Sequence, residues 1–147
     1  MPIKLAIFDF DGTFTDGKIY FQNNEIIKNY NVKDGMGIKL LRENNIKTCI
    51  ISGFKYNKST ENICNHLNID YIFQDIKNKK EIIDTLLKKL NLTFKQVSFM
   101  GDDINDLYLI EKAHISGCPF DAIAIIKNKS NYKSLKKGGE GAVRDFC

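Results

Sequence analysis

The 147 residues carry 22 Lys and Arg against 18 Asp and Glu, a net charge of +4, with 43% apolar and 27% charged residues. Those proportions are ordinary for a globular chain, long enough for one domain over residues 1–147 to bury a core without disulfides or structural metal. They argue against a disordered or membrane-spanning chain, and the charged start, with Asp9 and Asp11 close behind, is unlike a secretion signal, so a cytoplasmic protein is expected.

In chain order, residues Ile3 to Phe8 form a short apolar run, the mark of a strand buried on both faces. Residues 18–30 read as a β-hairpin: Ile19-Tyr20-Phe21 and Ile26-Ile27 flank Asn23-Asn24, a pair that tolerates positive φ. Asp34 is placed to cap a helix bearing Ile38, Leu40 and Leu41. Thr48 to Ser52 is a second buried strand, Ser59 to Leu67 a helix, and Tyr71 to Phe73 a third strand. Lys79 to Leu90 is a helix with Ile82, Ile83, Leu86, Leu87 and Leu90 on one face. Val97 to Met100 is a fourth strand and Asp106 to Ala113 a helix; a weak strand near Ile115, a helical turn at Ala122 to Ile126 and a glycine-rich turn at 138–141 follow. The alternation predicts an α/β fold: a Rossmann-like parallel sheet flanked by helices, with the hairpin inserted after the first strand and no cap domain.

The excess positive charge is lysine scattered among Asn and Ile, densest at Lys77, Lys79 and Lys80, without interleaved aromatic residues. Neither nucleic acid nor a membrane is therefore an expected partner, whereas a small anionic substrate suits the charge. Cys49, Cys64, Cys118 and Cys147 lack C-x-x-C spacing and a histidine pair nearby, which argues against zinc and against a disulfide framework. Cys49, within an apolar strand, reads as a core thiol, and His66 and His114 as structural.

Ligand sites in open parallel sheets lie beyond the carboxyl ends of the strands. The first strand is followed by Asp9 and Asp11, the second by Ser52-Gly53, and the fourth by Gly101-Asp102-Asp103 with Asp106 behind; Lys79 precedes the helix after the third. These types meet the needs of phosphoryl transfer, in which charge on the transferring oxygens must be neutralised and hydrogen-bonded. Asp9 is expected to attack phosphorus, while Asp11 protonates the leaving alkoxide and then activates water. Asp9, the Asp11 carbonyl and Asp102 would hold Mg²⁺, a hard cation that takes oxygen ligands. Ser52, the Gly53 amide and Lys79 would grip the phosphoryl oxygens.

At these residues the chain resembles the haloacid dehalogenase superfamily of aspartyl phosphatases, whose first motif is D-x-D-G-T/V. Asp9 to Thr13 match that motif, Ser52 the second, Lys79 the third, and Asp102 to Asp106 the fourth. Thr15-Asp16-Gly17, residues 31–35 and residues 138–144 look closest to the capless branch acting on 3-deoxy-D-manno-octulosonate 8-phosphate and on nonulosonate 9-phosphates. The resemblance implies a Mg²⁺-dependent phosphatase of a sugar-acid phosphate. It also implies Thr13 among the phosphate-binding residues, Lys33 and Arg144 toward the substrate carboxylate, and a homotetramer with the hairpin between subunits. Phe54 stands where octulosonate enzymes usually carry Arg, and Glu140 where their glycine-rich turn has Arg. The competing reading is a non-catalytic phosphosugar-binding or oligomerisation module, akin to domains appended to acylneuraminate cytidylyltransferases. Joint retention of Asp9, Asp11, Lys79 and Asp102 favours the enzyme, since binding alone needs no nucleophile.

Overall fold

The computed structural model describes residues 1–147. Strand β1 (Leu5–Phe8) lies inside a six-stranded parallel sheet. It pairs with β4 (Lys47–Ile51) on one side and with β6 (Val97–Met100) on the other. β5 (Tyr71–Phe73) extends the sheet beyond β4, and β7 (Ile115–Cys118) and β8 (Tyr132–Lys133) extend it beyond β6. A separate antiparallel pair, β2 (Tyr20–Gln22) and β3 (Glu25–Ile27), is the expected hairpin. Asn23 and Asn24 take φ of 50° and 62° in its turn, the left-handed pair that a two-residue hairpin loop requires.

Because side chains alternate across a strand, β1 feeds two cores. Leu5 and Ile7 pack with Cys49, Ile51, Val97 and Phe99 under α3 (Lys79–Leu90), α4 (Leu107–Lys112) and α5 (Ala124–Lys129). Ala6 and Phe8 pack with Ile50 and Met100 under α1 (Val32–Glu43), α2 (Lys58–His66) and α6 (Ala142–Phe146). With both faces covered, β1 and β6 are buried at every position, and each large apolar side chain so buried contributes about 1.5–3 kcal/mol. That burial pins the strand ends, and with them the loops that carry charge.

Several local expectations change. Asn31, not Asp34, caps α1, its side chain accepting the Lys33 N–H; Asn57 and Asn78 cap α2 and α3 in the same way. The helix expected from Asp106 begins one residue later, after a 3-10 turn over Ile104–Asp106. The turn expected at Ala122 to Ile126 is instead α5, and β8 and α6 had no clear signal in the sequence.

Asp34 has another role. It is fully buried in the first turn of α1, where Oδ1 accepts the Arg144 N–H at 3.0 Å and so ties α6 to α1, while Oδ2 has no partner. Burial, partly offset by that backbone bond, raises its pKa from 3.8 to about 6. The folded chain thus keeps a proton that the unfolded chain releases, and this site costs stability increasingly as pH rises from 3.8 to about 6. Asp34→Asn keeps the acceptor without the charge. Its advantage in urea unfolding over the parent should be absent below about pH 4 and reach about 1–3 kcal/mol above about pH 6. An advantage that does not change with pH would contradict this account of Asp34.

Candidate active site

The carboxyl ends of β1, β4 and β6 converge with the start of α3, and the hydrogen bonds made there are long-range in sequence. Lys79 Nζ donates to Asp9 Oδ1 at 2.8 Å and to Asp106 Oδ1 at 2.7 Å, with all three side chains buried. Burial disfavours the ammonium, but the two carboxylates more than offset that and hold the Lys79 pKa above that of a free lysine. The other oxygen of Asp106 accepts the backbone N–H of Asp102 at 3.0 Å and of Asp103 at 3.3 Å. Asp106 therefore shapes the loop after β6, with both oxygens committed.

That loop brings Asp102 against Asp9. Burial first, then the hydrogen bond and charge of Asp9, raise the Asp102 pKa far above the usual carboxylate range. Oxygens of Asp9, Asp102 and Asp106 lie within 4.8 Å of one another. Gly12, at φ +83°, allows this approach, because a Cβ there would collide with the Asp102 carboxylate. An all-oxygen donor set, crowded beyond what its own charge tolerates, fits a small divalent cation such as Mg²⁺. Asp9 and Asp102 are free to ligate it; Asp106, engaged with Lys79 and two amides, is not.

Asp11 stands on the open side. Its Oδ2 receives the Ser52 hydroxyl at 3.4 Å and its Oδ1 receives Lys28 Nζ at 2.6 Å. Ser52 Oγ also accepts the Phe54 N–H at 3.2 Å, which fixes the turn after β4. Asp9, Asp11, Gly53, Phe54, Asp102 and Asn105 line a cavity of about 340 Å³.

The expected residues Asp9, Asp11, Ser52, Gly53, Lys79 and Asp102 are thus brought together. Lys79 differs from expectation in being held by two carboxylates beneath the cavity, not in its wall. Thr13 does not face the cavity: it is fully buried and its Oγ1 has no partner. Lys33 and Arg144 are also elsewhere. They line a separate groove of about 700 Å³ with Arg42, His66 and Tyr30, because Lys33 is on α1 and Arg144 on the α6 packed against it. Neither His66 nor His114 lines the acidic cavity. Sequence reasoning left Asp106 without a role, although its position four residues after Asp102 was a usable signal. It passed over Lys28 altogether, since a lysine leaving a hairpin strand ordinarily points to water.

A family model described as haloacid dehalogenase-like hydrolase matches residues 25–114. The 3-deoxy-D-manno-octulosonate 8-phosphate phosphatase KdsC of Salmonella typhi is 38% identical over 146 residues, 99% of this chain and 77% of that protein. The chain belongs to the haloacid dehalogenase-like hydrolases. Among solved structures of this family, the octulosonate phosphatase of Yersinia pestis aligns with a TM-score of 0.94 at 36% identity, covering 99% of this chain and 78% of that one. The Moraxella catarrhalis enzyme, described in complex with magnesium, phosphate and KDO, aligns with a TM-score of 0.94 at 30% identity, over 99% and 83% of the two chains. The hydrolase fold here carries the parallel sheet expected of it, with no cap domain.

If Asp102 is the residue that binding of Mg²⁺ relieves, millimolar Mg²⁺ should raise the melting temperature by about 2–5 °C. Asp102→Asn should melt no lower than the parent without metal, because the amide, like the protonated carboxyl that burial favours, sets no charge against Asp9, and should lose the Mg²⁺ shift. An undiminished shift in the variant, read by calorimetry, would contradict the assignment.

Proposed function

We propose that the chain is a Mg²⁺-dependent phosphatase that hydrolyses a 2-keto-3-deoxy sugar acid phosphate, either 3-deoxy-D-manno-octulosonate 8-phosphate or a nonulosonate 9-phosphate, through an aspartyl-phosphate. The observation that carries this reading is the Asp9–Lys79–Asp106 cluster with Asp11 facing the same cavity. No helix is long and apolar enough to cross a membrane.

Lys79 engages one oxygen of Asp9, so rotation of the carboxylate is restrained and its other oxygen is free to attack. Attack forms an O–P bond to Asp9 as the P–O bond to the sugar breaks, and the Asp11 carboxyl delivers its proton to the departing alkoxide. Water then attacks the phosphorus of the acyl phosphate, Asp11 takes the proton, and Asp9 and inorganic phosphate are released. Asp9, Asp102 and the Asp11 main-chain carbonyl would hold Mg²⁺, which would supply the charge that offsets repulsion between the carboxylates and the phosphate dianion. Ser52 and the Gly53 amide would take the phosphoryl oxygens.

No Lys or Arg lines the cavity, so one subunit offers no cation there to a sugar carboxylate. Basic groups cluster instead in the groove containing Lys33 and Arg144. The hairpin is likewise incomplete alone: Phe21 is 72% exposed and Tyr20 52%, while Ile19 and Ile26 are half-buried. A symmetric homotetramer would cover the hairpin and let neighbouring copies close the cavity.

A phosphate-release screen over C8 and C9 keto-acid phosphates with Mg²⁺ should find at least one substrate. Asp9→Asn should lower kcat on it about a thousandfold or more, since an amide is no nucleophile. Near-normal turnover by that variant would overturn the covalent route. Phe21→Asp should dissociate the tetramer in light scattering and lower kcat/KM; a fully active monomer would contradict the assembly.

A further inference from the structure

Lys28 immediately follows β3, on an element whose other side chains are mostly exposed, yet it is 5% exposed and its side chain is wholly out of water. Its backbone N–H is fixed by Ser59 Oγ at 2.8 Å, and its Nζ lies 4.1 Å from the centre of the Phe54 ring and 5.6 Å from that of Phe10. The one carboxylate it meets is Asp11, at 2.6 Å. A buried ion pair is a poor way to add stability, because apolar side chains of the same volume usually do as well. The pairing therefore calls for a purpose at Asp11.

Resting on the phosphatase reading above, we infer that Lys28 is a positioning residue for proton delivery by Asp11, with Phe54 covering the ammonium. Lys28 takes Oδ1 and the Ser52 hydroxyl approaches Oδ2, so the plane of the carboxylate is set from both ends. With Oδ1 engaged by the ammonium, Oδ2 is the oxygen that carries the proton to the leaving alkoxide. The hairpin is thereby tied to the chemistry: displacing β3 displaces the group that orients the acid. Phe54, at a position where octulosonate enzymes usually have Arg, here presents a ring face to a cation that the chain itself provides.

An aryl phosphate separates orientation of the acid from mere support of the fold, because p-nitrophenolate departs without being protonated. In kcat/KM, which reports only steps through departure of the alcohol, the later role of Asp11 toward water does not enter. The assembled protein with Mg²⁺ is assayed on p-nitrophenyl phosphate and on the keto-acid phosphate it hydrolyses fastest. Lys28→Met should lower kcat/KM on the alkyl ester about a hundredfold and on the aryl ester by less than about threefold. Lys28→Arg should keep the ratio of the two within about threefold of the parent's, and Lys28→Gln, which removes the charge but keeps a polar side chain, replaces the Met variant if that one does not fold. Equal losses on both esters, or no loss on the alkyl ester, would overturn the inference while leaving the phosphatase reading intact. A parent protein that hydrolyses neither ester would overturn the phosphatase reading itself.

Discussion

A lysine ammonium buried between two carboxylates is tolerable only while all three groups keep their places. Lys79 sits between Asp9 and Asp106 at 2.8 and 2.7 Å, and taking away the ammonium strands two carboxylates out of water. The three residues come from the end of β1, the start of α3 and the turn after β6. Their mutual satisfaction therefore fixes how these segments meet, and the two apolar cores beneath keep β1 and β6 from yielding. Asp106 passes the constraint on to the amides of Asp102 and Asp103.

From that centre the rest of the site follows. Aligning the loop after β6 presses Asp102 onto Asp9, which creates a demand for a cation and a reason for Gly12 to lack a side chain. The glycine-rich turn locks the loop after β1 from outside: a Cβ on Gly138 would collide with the Gly12 carbonyl, and the Gly139 N–H donates to Thr13 O. Asp121 in turn accepts the Gly138 N–H at 3.0 Å. The first carboxylate loop is thus held by the last third of the chain, and the hairpin reaches it through Lys28. The buried cluster keeps one carboxylate in excess of its ammonium, and the open mouth is acidic as well.

The sheet and the principal carboxylates were legible because they rest on local patterns. Buried strands are continuous apolar runs, and the residues just past their ends are constrained to one side of the sheet. The Asn-Asn hairpin turn was legible for a similar reason: few residues accept two successive left-handed conformations. What escaped depends on tertiary environment. Asp34 has the composition of a helix cap, but Asn31 holds that position and Asp34 is turned toward α6. Thr13 belongs to the motif, yet its side chain is buried away from the cavity with its hydroxyl unpartnered. Lys33 and Arg144 have suitable charge but stand on the far pairing of α1 with α6, and only three-dimensional packing separates that groove from the acidic cavity. Lys28 was hidden because nothing in a hairpin sequence says that one lysine will be folded inward.

The central claim is that the buried lysine cluster orients Asp9 to accept the phosphoryl group. An acyl phosphate reduced by borohydride leaves homoserine in place of the aspartate, so the acceptor can be located by peptide mass spectrometry. The enzyme would be quenched during turnover with Mg²⁺ and its preferred sugar-acid phosphate, then reduced and digested. Homoserine at position 9, absent when the substrate is omitted, is the result this account predicts. Homoserine at another aspartate, or none despite full turnover and intact recovery of the Asp9 peptide, would contradict it.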